Sequence, residues 1–148
     1  MGNLMQVPPE LAPYFSESDL SDYPLVNIPQ VFQDLRGTIM NLADGAIGDV
    51  AVITSNPGSV RANHYHLEDW HLCYVVSGSM NYSWKEALSS TTIHNLEIAQ
   101  GQMLYTPKLT PHRIKFSEET IFVTMSKLSR LKDNYELDTT RFESDFLG

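Results

Sequence analysis

From Leu25 onward the chain alternates short β-prone apolar runs with glycine, proline, asparagine, aspartate and serine. Successive side chains of an extended segment point to opposite faces, so such runs predict half-buried strands. Nine are read, at 37–43, 49–54, 59–66, 71–76, 79–85, 91–99, 102–106, 112–116 and 120–127. Turn signals recurring about every 8–12 residues, with no helical periodicity before Ser126, predict an all-β antiparallel sandwich or barrel. Within 79–85, Met80, Tyr82 and Trp84 share a face, an aromatic stripe that reads as core or interface, with Tyr82 kept as a candidate acid. Before the strands, Pro8, Pro9, Pro13 and Pro24 break residues 1–24 into an arm with at most one turn, at 16–20. Its apolar residues Leu11, Tyr14, Phe15 and Leu20 are expected to contact a neighbouring subunit, which implies a homodimer. After the strands, residues 128–148 form a charged tail with a polar cluster at Asp138, Thr139, Thr140 and Arg141, expected as a short helix or an extended strap.

A chain of 148 residues is expected to form one domain, with residues 25–127 as its β-barrel. The formal charge of −8 argues against nucleic-acid and anionic-membrane surfaces, which need a basic field. An anionic small molecule would instead need placed arginines, and Arg36 and Arg61 are the candidates. The single cysteine, Cys73, lies in an apolar run, reads as a buried small hydrophobe and has no partner for an internal disulfide. With no leader-like segment and no apolar stretch of about 18 residues, the expectation is a cytoplasmic protein.

Candidate chemistry gathers in the histidines. Three of the five, His64, His66 and His71, fall within eight positions. His64 and His66 leave one face of their strand, and His71 can return to the same cavity after a short turn. His112 follows a turn built from Pro107 and Pro111, where a strand re-enters the sheet. Neutral imidazoles converging in this way suit zinc, iron, nickel or copper. The expected metal ligands are His64, His66, His71 and His112. His94 reads as an ordinary strand histidine, and Glu68 and Asp69 as solvated turn residues.

The two stretches resemble the paired cupin motifs. Gly58, His64, His66 and Gly78 fit the first motif at every spacing, with His71 in the place of its glutamate; Gly101, Pro107 and His112 fit the second, with Leu109 where the motif has glycine and Phe116 where it has asparagine. Phe32-Gln33-Asp34-Leu35-Arg36-Gly37 is similar to the opening of cupins that act on nucleotide-linked deoxysugars. Gly58–His66 is similar to the matching strand of the dTDP-4-dehydrorhamnose 3,5-epimerase family, and Arg61–His66 resembles the cupin half of capsular-polysaccharide reductases. Over about residues 30 to 127, the resemblance implies a jelly-roll cupin barrel. It implies a nucleotide-sugar isomerase or epimerase of polysaccharide biosynthesis, with His64 as catalytic base and Arg61 on the diphosphate. Arg36 would reach the diphosphate from a partner subunit. His71 stands where the epimerases keep a lysine that steadies the enolate, and Tyr135 lies in the part of the chain where they keep a tyrosine acid. The expected cofactor is a divalent transition metal such as zinc, iron, nickel or manganese. Two alternatives stay open: an Fe(II)-type cupin dioxygenase, and a non-catalytic module that binds a metal or small molecule.

Overall fold

Residues 7–12, 15–131 and 133–144 are described by a computed structural model, in which the alternating runs become the strands of an all-β jelly roll. In chain order the strands are β1 (Leu25–Val26), β2 (Gln30–Asp34), β3 (Gly37–Met40), β4 (Asp49–Ser55), β5 (Val60–His66), β6 (His71–Ser77), β7 (Ser79–Trp84), β8 (His94–Ala99), β9 (Met103–Thr106), β10 (His112–Lys115) and β11 (Thr120–Ser126), followed by helix α1 (Asp133–Asp138) and strand β12 (Thr139–Arg141). Two antiparallel five-stranded sheets result, in the orders β1-β9-β6-β11-β4 and β12-β5-β10-β7-β8. Val75, Leu104 and Phe122 from the first meet Met80, Ile98 and Ile114 from the second to form the core between them. Among the described residues no helix is long and apolar enough to cross a membrane.

The arm departs from expectation. Leu11, Phe15 and Leu20 are buried in this subunit, packed with Trp70, Leu72 and Met125 on the outer face of the first sheet. On β6 the residues alternating with Cys73 and Val75 are Leu72 and Tyr74, so the first sheet is apolar outside as well as inside and needs a cover. Tyr14 lies outside the described residues. Apolar surface stays uncovered on β2 and β3, which pair only with each other and, with their turn, expose Val31, Phe32, Leu35 and Ile39, and on β4, where Val50 and Val52 are exposed. The tail is both things expected of it: α1 is a short helix and β12 an extended strap, which extends the second sheet by pairing Thr139 with His66 and Arg141 with His64.

Two turns carry strain that bears on the site. Ala62 and Asn63 have φ of 67° and 60°, and the pairing of β5 with β10 jumps from His64–His112 to Ala62–Arg113, which marks a bulge at Asn63. Leu109, in the place of the second motif's glycine, keeps a glycine-like φ of 59° and donates its N–H to the His66 carbonyl at 2.7 Å. A left-handed residue with a Cβ costs about 1–2 kcal/mol, while the extra freedom of an unfolded glycine costs about 0.5–1 kcal/mol. Ala62→Gly and Leu109→Gly are each therefore expected to raise stability, by about 0.5–1 kcal/mol. Urea unfolding would show this, and a loss of stability at both positions would mean that the turns relax in solution.

Candidate functional site

The bulged end of β5 sends His64 and His66 inward, β6 begins at His71, and β10 begins at His112 directly opposite His64. All four expected ligands are buried and share one cluster. The His64 ring lies 4.6 Å from His66 and 4.8 Å from His112 between centroids, and His66 stacks on His71 at 4.7 Å. Nitrogens of His64, His66 and His112 lie within 4.8 Å of one another, as do potential donor atoms of His66, Asp69 and His71.

Hydrogen bonds fix several rings. His112 donates from Nδ1 to the Thr110 carbonyl at 2.8 Å, which leaves Nε2 as a lone-pair nitrogen. The Thr139 hydroxyl donates to the Tyr135 carbonyl at 2.6 Å, so it accepts from His66 Nδ1 at 3.3 Å and leaves His66 Nε2 unprotonated. That Nε2 and His64 Nδ1 are buried with no hydrogen-bond partner among the described residues. Burial, then the neighbouring imidazoles, push the basicity of all three rings down: His64 far below its usual range, His66 to about 2 and His112 to about 4. At neutral pH His64, His66 and His112 are uncharged nitrogen donors.

Asp69 corrects the sequence reading. It is not a solvated turn residue but is buried, accepting the backbone N–H groups of Lys127 and Leu128 through Oδ1 and the His71 Nε2–H through Oδ2 at 2.9 Å. Asp138 does similar work from the tail, accepting the N–H groups of Glu68 and Asp69 and lying 3.6 Å from His66 Nδ1. Two carboxylates thus hold the turn between β5 and β6.

A cavity of about 410 Å³ opens on the cluster. His64, His71 and His112 line it together with Thr106, Thr124, Tyr135 and three arginines, Arg61, Arg130 and Arg141. Arg61 stands at the cavity as expected, held by Ser55 Oγ and the Thr54 carbonyl. Arg36 does not line this cavity; it is exposed at the β2–β3 turn and paired with Asp34. Tyr82 is fully buried, stacked on Trp84 and bonded to the Thr106 hydroxyl at 2.9 Å; its ring lies 6.1 Å from that of His112 but does not line the cavity. The phenol that lines the cavity is Tyr135, 5.5 Å from the His66 ring and 6.5 Å from that of His64. His94 lies apart, stacked on Trp84. Arg130 went unread, and Arg141 was read only as part of a polar cluster, because the charged tail had no pattern that tied it to the barrel.

No curated protein matches the chain at a significant level. Residues 32–140 match the polysaccharide biosynthesis C-terminal domain family. Among solved structures, the capsular polysaccharide assembling protein CapF from Staphylococcus aureus superposes with a TM-score of 0.58 at 19% identity, over 80% of this chain and 35% of CapF, so the chain spans about a third of that protein. The sugar 3,4-ketoisomerase QdtA from Thermoanaerobacterium thermosaccharolyticum, solved with TDP, superposes at 0.63 and 18% identity over 82% of this chain and 90% of its own. The dTDP-4-dehydrorhamnose 3,5-epimerase from Sulfolobus tokodaii gives 0.61 and 16% over 81% and 82%. Likeness at these identities establishes the shared cupin fold.

Proposed function

We propose, since the chain belongs to the polysaccharide biosynthesis C-terminal domain family, that it is an isomerase or epimerase acting on a nucleotide-linked 4-keto-deoxysugar in polysaccharide biosynthesis. The observation that carries this is one cavity lined by three imidazoles, a phenol and three arginines in a chain of net charge −8. Such a lining suits an anionic substrate whose reacting part is a polar carbonyl.

The donor set fits a divalent transition metal, because buried imidazole nitrogens without partners are what a metal ligand looks like before its metal is placed. His64, His66 and His112 would hold it, with His71 beside them and tied to Asp69. When bound, the metal supplies Lewis-acid stabilisation of negative charge on a carbonyl or enolate oxygen. This use takes from His64 the base role that the epimerase resemblance implies, since burial first, then the neighbouring imidazoles and Arg141, strongly disfavour a proton on its ring. We assign proton transfer to Tyr135 Oη instead. Burial raises its pKa, while Arg130 and Arg141 beside it favour the phenolate. The net effect of burial keeps the phenolate a minor form. In that form the oxygen takes the proton from the carbon next to the ketone, and the C–H pair becomes the C=C bond of an enolate as the C=O π pair moves onto the carbonyl oxygen. Return of the proton to the former carbonyl carbon, with the neighbouring hydroxyl's proton passing to the carbonyl oxygen, completes an isomerisation. Arg61 and Arg141 suit the diphosphate with their paired donors.

The test combines elemental analysis of the protein as isolated with incubation in D₂O with dTDP- and UDP-linked 4-keto-6-deoxyhexoses, followed by NMR. Deuterium at the carbon beside the ketone is expected. A protein with one metal per chain and no exchange into any of these sugars is a metal-binding module or a different enzyme. Exchange by metal-free protein that His64→Ala abolishes would return the base role to His64.

The exposed apolar hairpin supports a homodimer, which would also bring Arg36 toward a second copy. Val31→Lys together with Ile39→Lys is expected to give a folded monomer by light scattering, whereas a wild-type monomer at micromolar concentration would remove the dimer from the proposal.

A further inference from the structure

The three cavity arginines are not equivalent. Arg61 and Arg141 are exposed, Arg61 held by a serine and a carbonyl and Arg141 bonded to Glu136 at 2.8 Å. Arg130 is more enclosed, with a side chain 29% exposed. Its backbone N–H donates to Asp49 Oδ2 at 3.2 Å, its Nη2 donates to Thr124 Oγ1 at 3.3 Å, and its guanidinium lies 5.2 Å from the centre of the Tyr135 ring. These contacts hold the guanidinium against Thr124 in the wall of the cavity that His71 also lines. Its charge is incompletely matched there: Nε is buried without a hydrogen-bond acceptor among the described residues, and the Asp49 carboxylate stands off at 3.8 Å. A partly desolvated cation with a loosely placed counter-charge keeps a capacity for a second anion, and charge that appears only during reaction meets that need without a ground-state penalty.

His71 sharpens the point. It stands where the resemblance puts the cation that steadies an enolate, yet its Nε2–H is spent on Asp69. The cavity that His71 lines does hold permanent cations, and the most enclosed of them is Arg130. We propose that Arg130 is a catalytic residue that hydrogen-bonds the keto oxygen of the sugar and meets the negative charge developing on it, while the exposed Arg61 and Arg141 hold the diphosphate. This rests on the keto-sugar reading above.

The experiment uses the full-length, metal-loaded protein and two ligands, TDP alone and the 4-keto-6-deoxyhexose nucleotide that the wild type exchanges fastest. Arg130→Gln is expected to slow deuterium exchange roughly 100-fold, mainly in kcat, and Arg130→Lys to recover part of that loss. TDP affinity by calorimetry is expected to stay within about 2-fold of wild type, since TDP has no keto oxygen, while Arg141→Gln weakens TDP binding by about 10-fold. Metal content and melting temperature of Arg130→Lys check that the fold and cluster persist. Wild-type exchange rates in both Arg130 variants would overturn the assignment alone. So would a loss of TDP affinity in Arg130→Gln as large as its loss of exchange, which would make Arg130 a diphosphate contact. Absence of exchange by the wild-type protein with every sugar tested would overturn the keto-sugar reading, and the role of Arg130 with it.

Discussion

His66→Ala is expected to lower metal affinity by roughly 100-fold or more and to lower the melting temperature of the protein as isolated, while His94→Ala changes neither. The cluster cannot exist in the unfolded chain, so metal binding free energy is also folding free energy. His66 is central to it, with nitrogens or rings of His64, His71 and His112 around it and an Nε2 that no other described residue satisfies. His94 only stacks on Trp84 near Glu86. A chelator should reproduce the loss in the wild type and add nothing in His66→Ala. The metal-free protein should in addition be acid-sensitive. His112 titrates near 6.5 when unfolded and is pushed to about 4 when folded, so below about pH 6.5 the unfolded chain binds the extra proton and stability falls until about pH 4. That shift alone is worth roughly 3 kcal/mol. Inductively coupled plasma analysis and melting curves between pH 7 and pH 4 measure both effects. Equal melting temperatures with and without chelator, in a protein that carries no stoichiometric metal, would sink the metal assignment.

How much of this was legible in the sequence depends on how local each signal is. The strand positions and the inward pair His64 and His66 follow from a period of two, which any sheet enforces. His112 followed from turn chemistry and motif spacing, and the structure places it directly opposite His64. Even a departure from motif was informative: Leu109 replaces a glycine of the second motif yet keeps left-handed backbone, so the turn outlasts the residue that makes it easy. Asp69 was misread because its role depends on N–H groups of Lys127 and Leu128, far along the chain, that no local pattern can bring to it. The arm was misassigned for a related reason. Its apolar residues announce that they will be buried, but only the assembled first sheet, apolar on its outer face, shows where.

The two tyrosines give the clearest contrast, and the second large prediction turns on it. Alternation correctly placed Tyr82 on an inward face, but inward includes both cavity and core, and Tyr82 lies in the core with its hydroxyl bonded to Thr106. Tyr135 comes from a helix of six residues whose position is fixed by β12 pairing beside β5, by Asp138 on the turn before β6, and by Arg130 against its ring. Tyr135→Phe is therefore expected to slow deuterium exchange and turnover by about 100-fold or more, the scale of a lost proton-transfer group, while metal content, TDP affinity and melting temperature hold, because the ring and its contact with Arg130 remain. Tyr82→Phe should do the reverse, costing about 1 kcal/mol of stability for one buried hydrogen bond and leaving the exchange rate unchanged. Exchange kinetics and urea unfolding of the two variants, measured side by side, decide the matter. If Tyr135→Phe exchanges as fast as wild type while Tyr82→Phe is inactive but fully folded, proton transfer runs through the core tyrosine and the assignment made from the cavity is wrong.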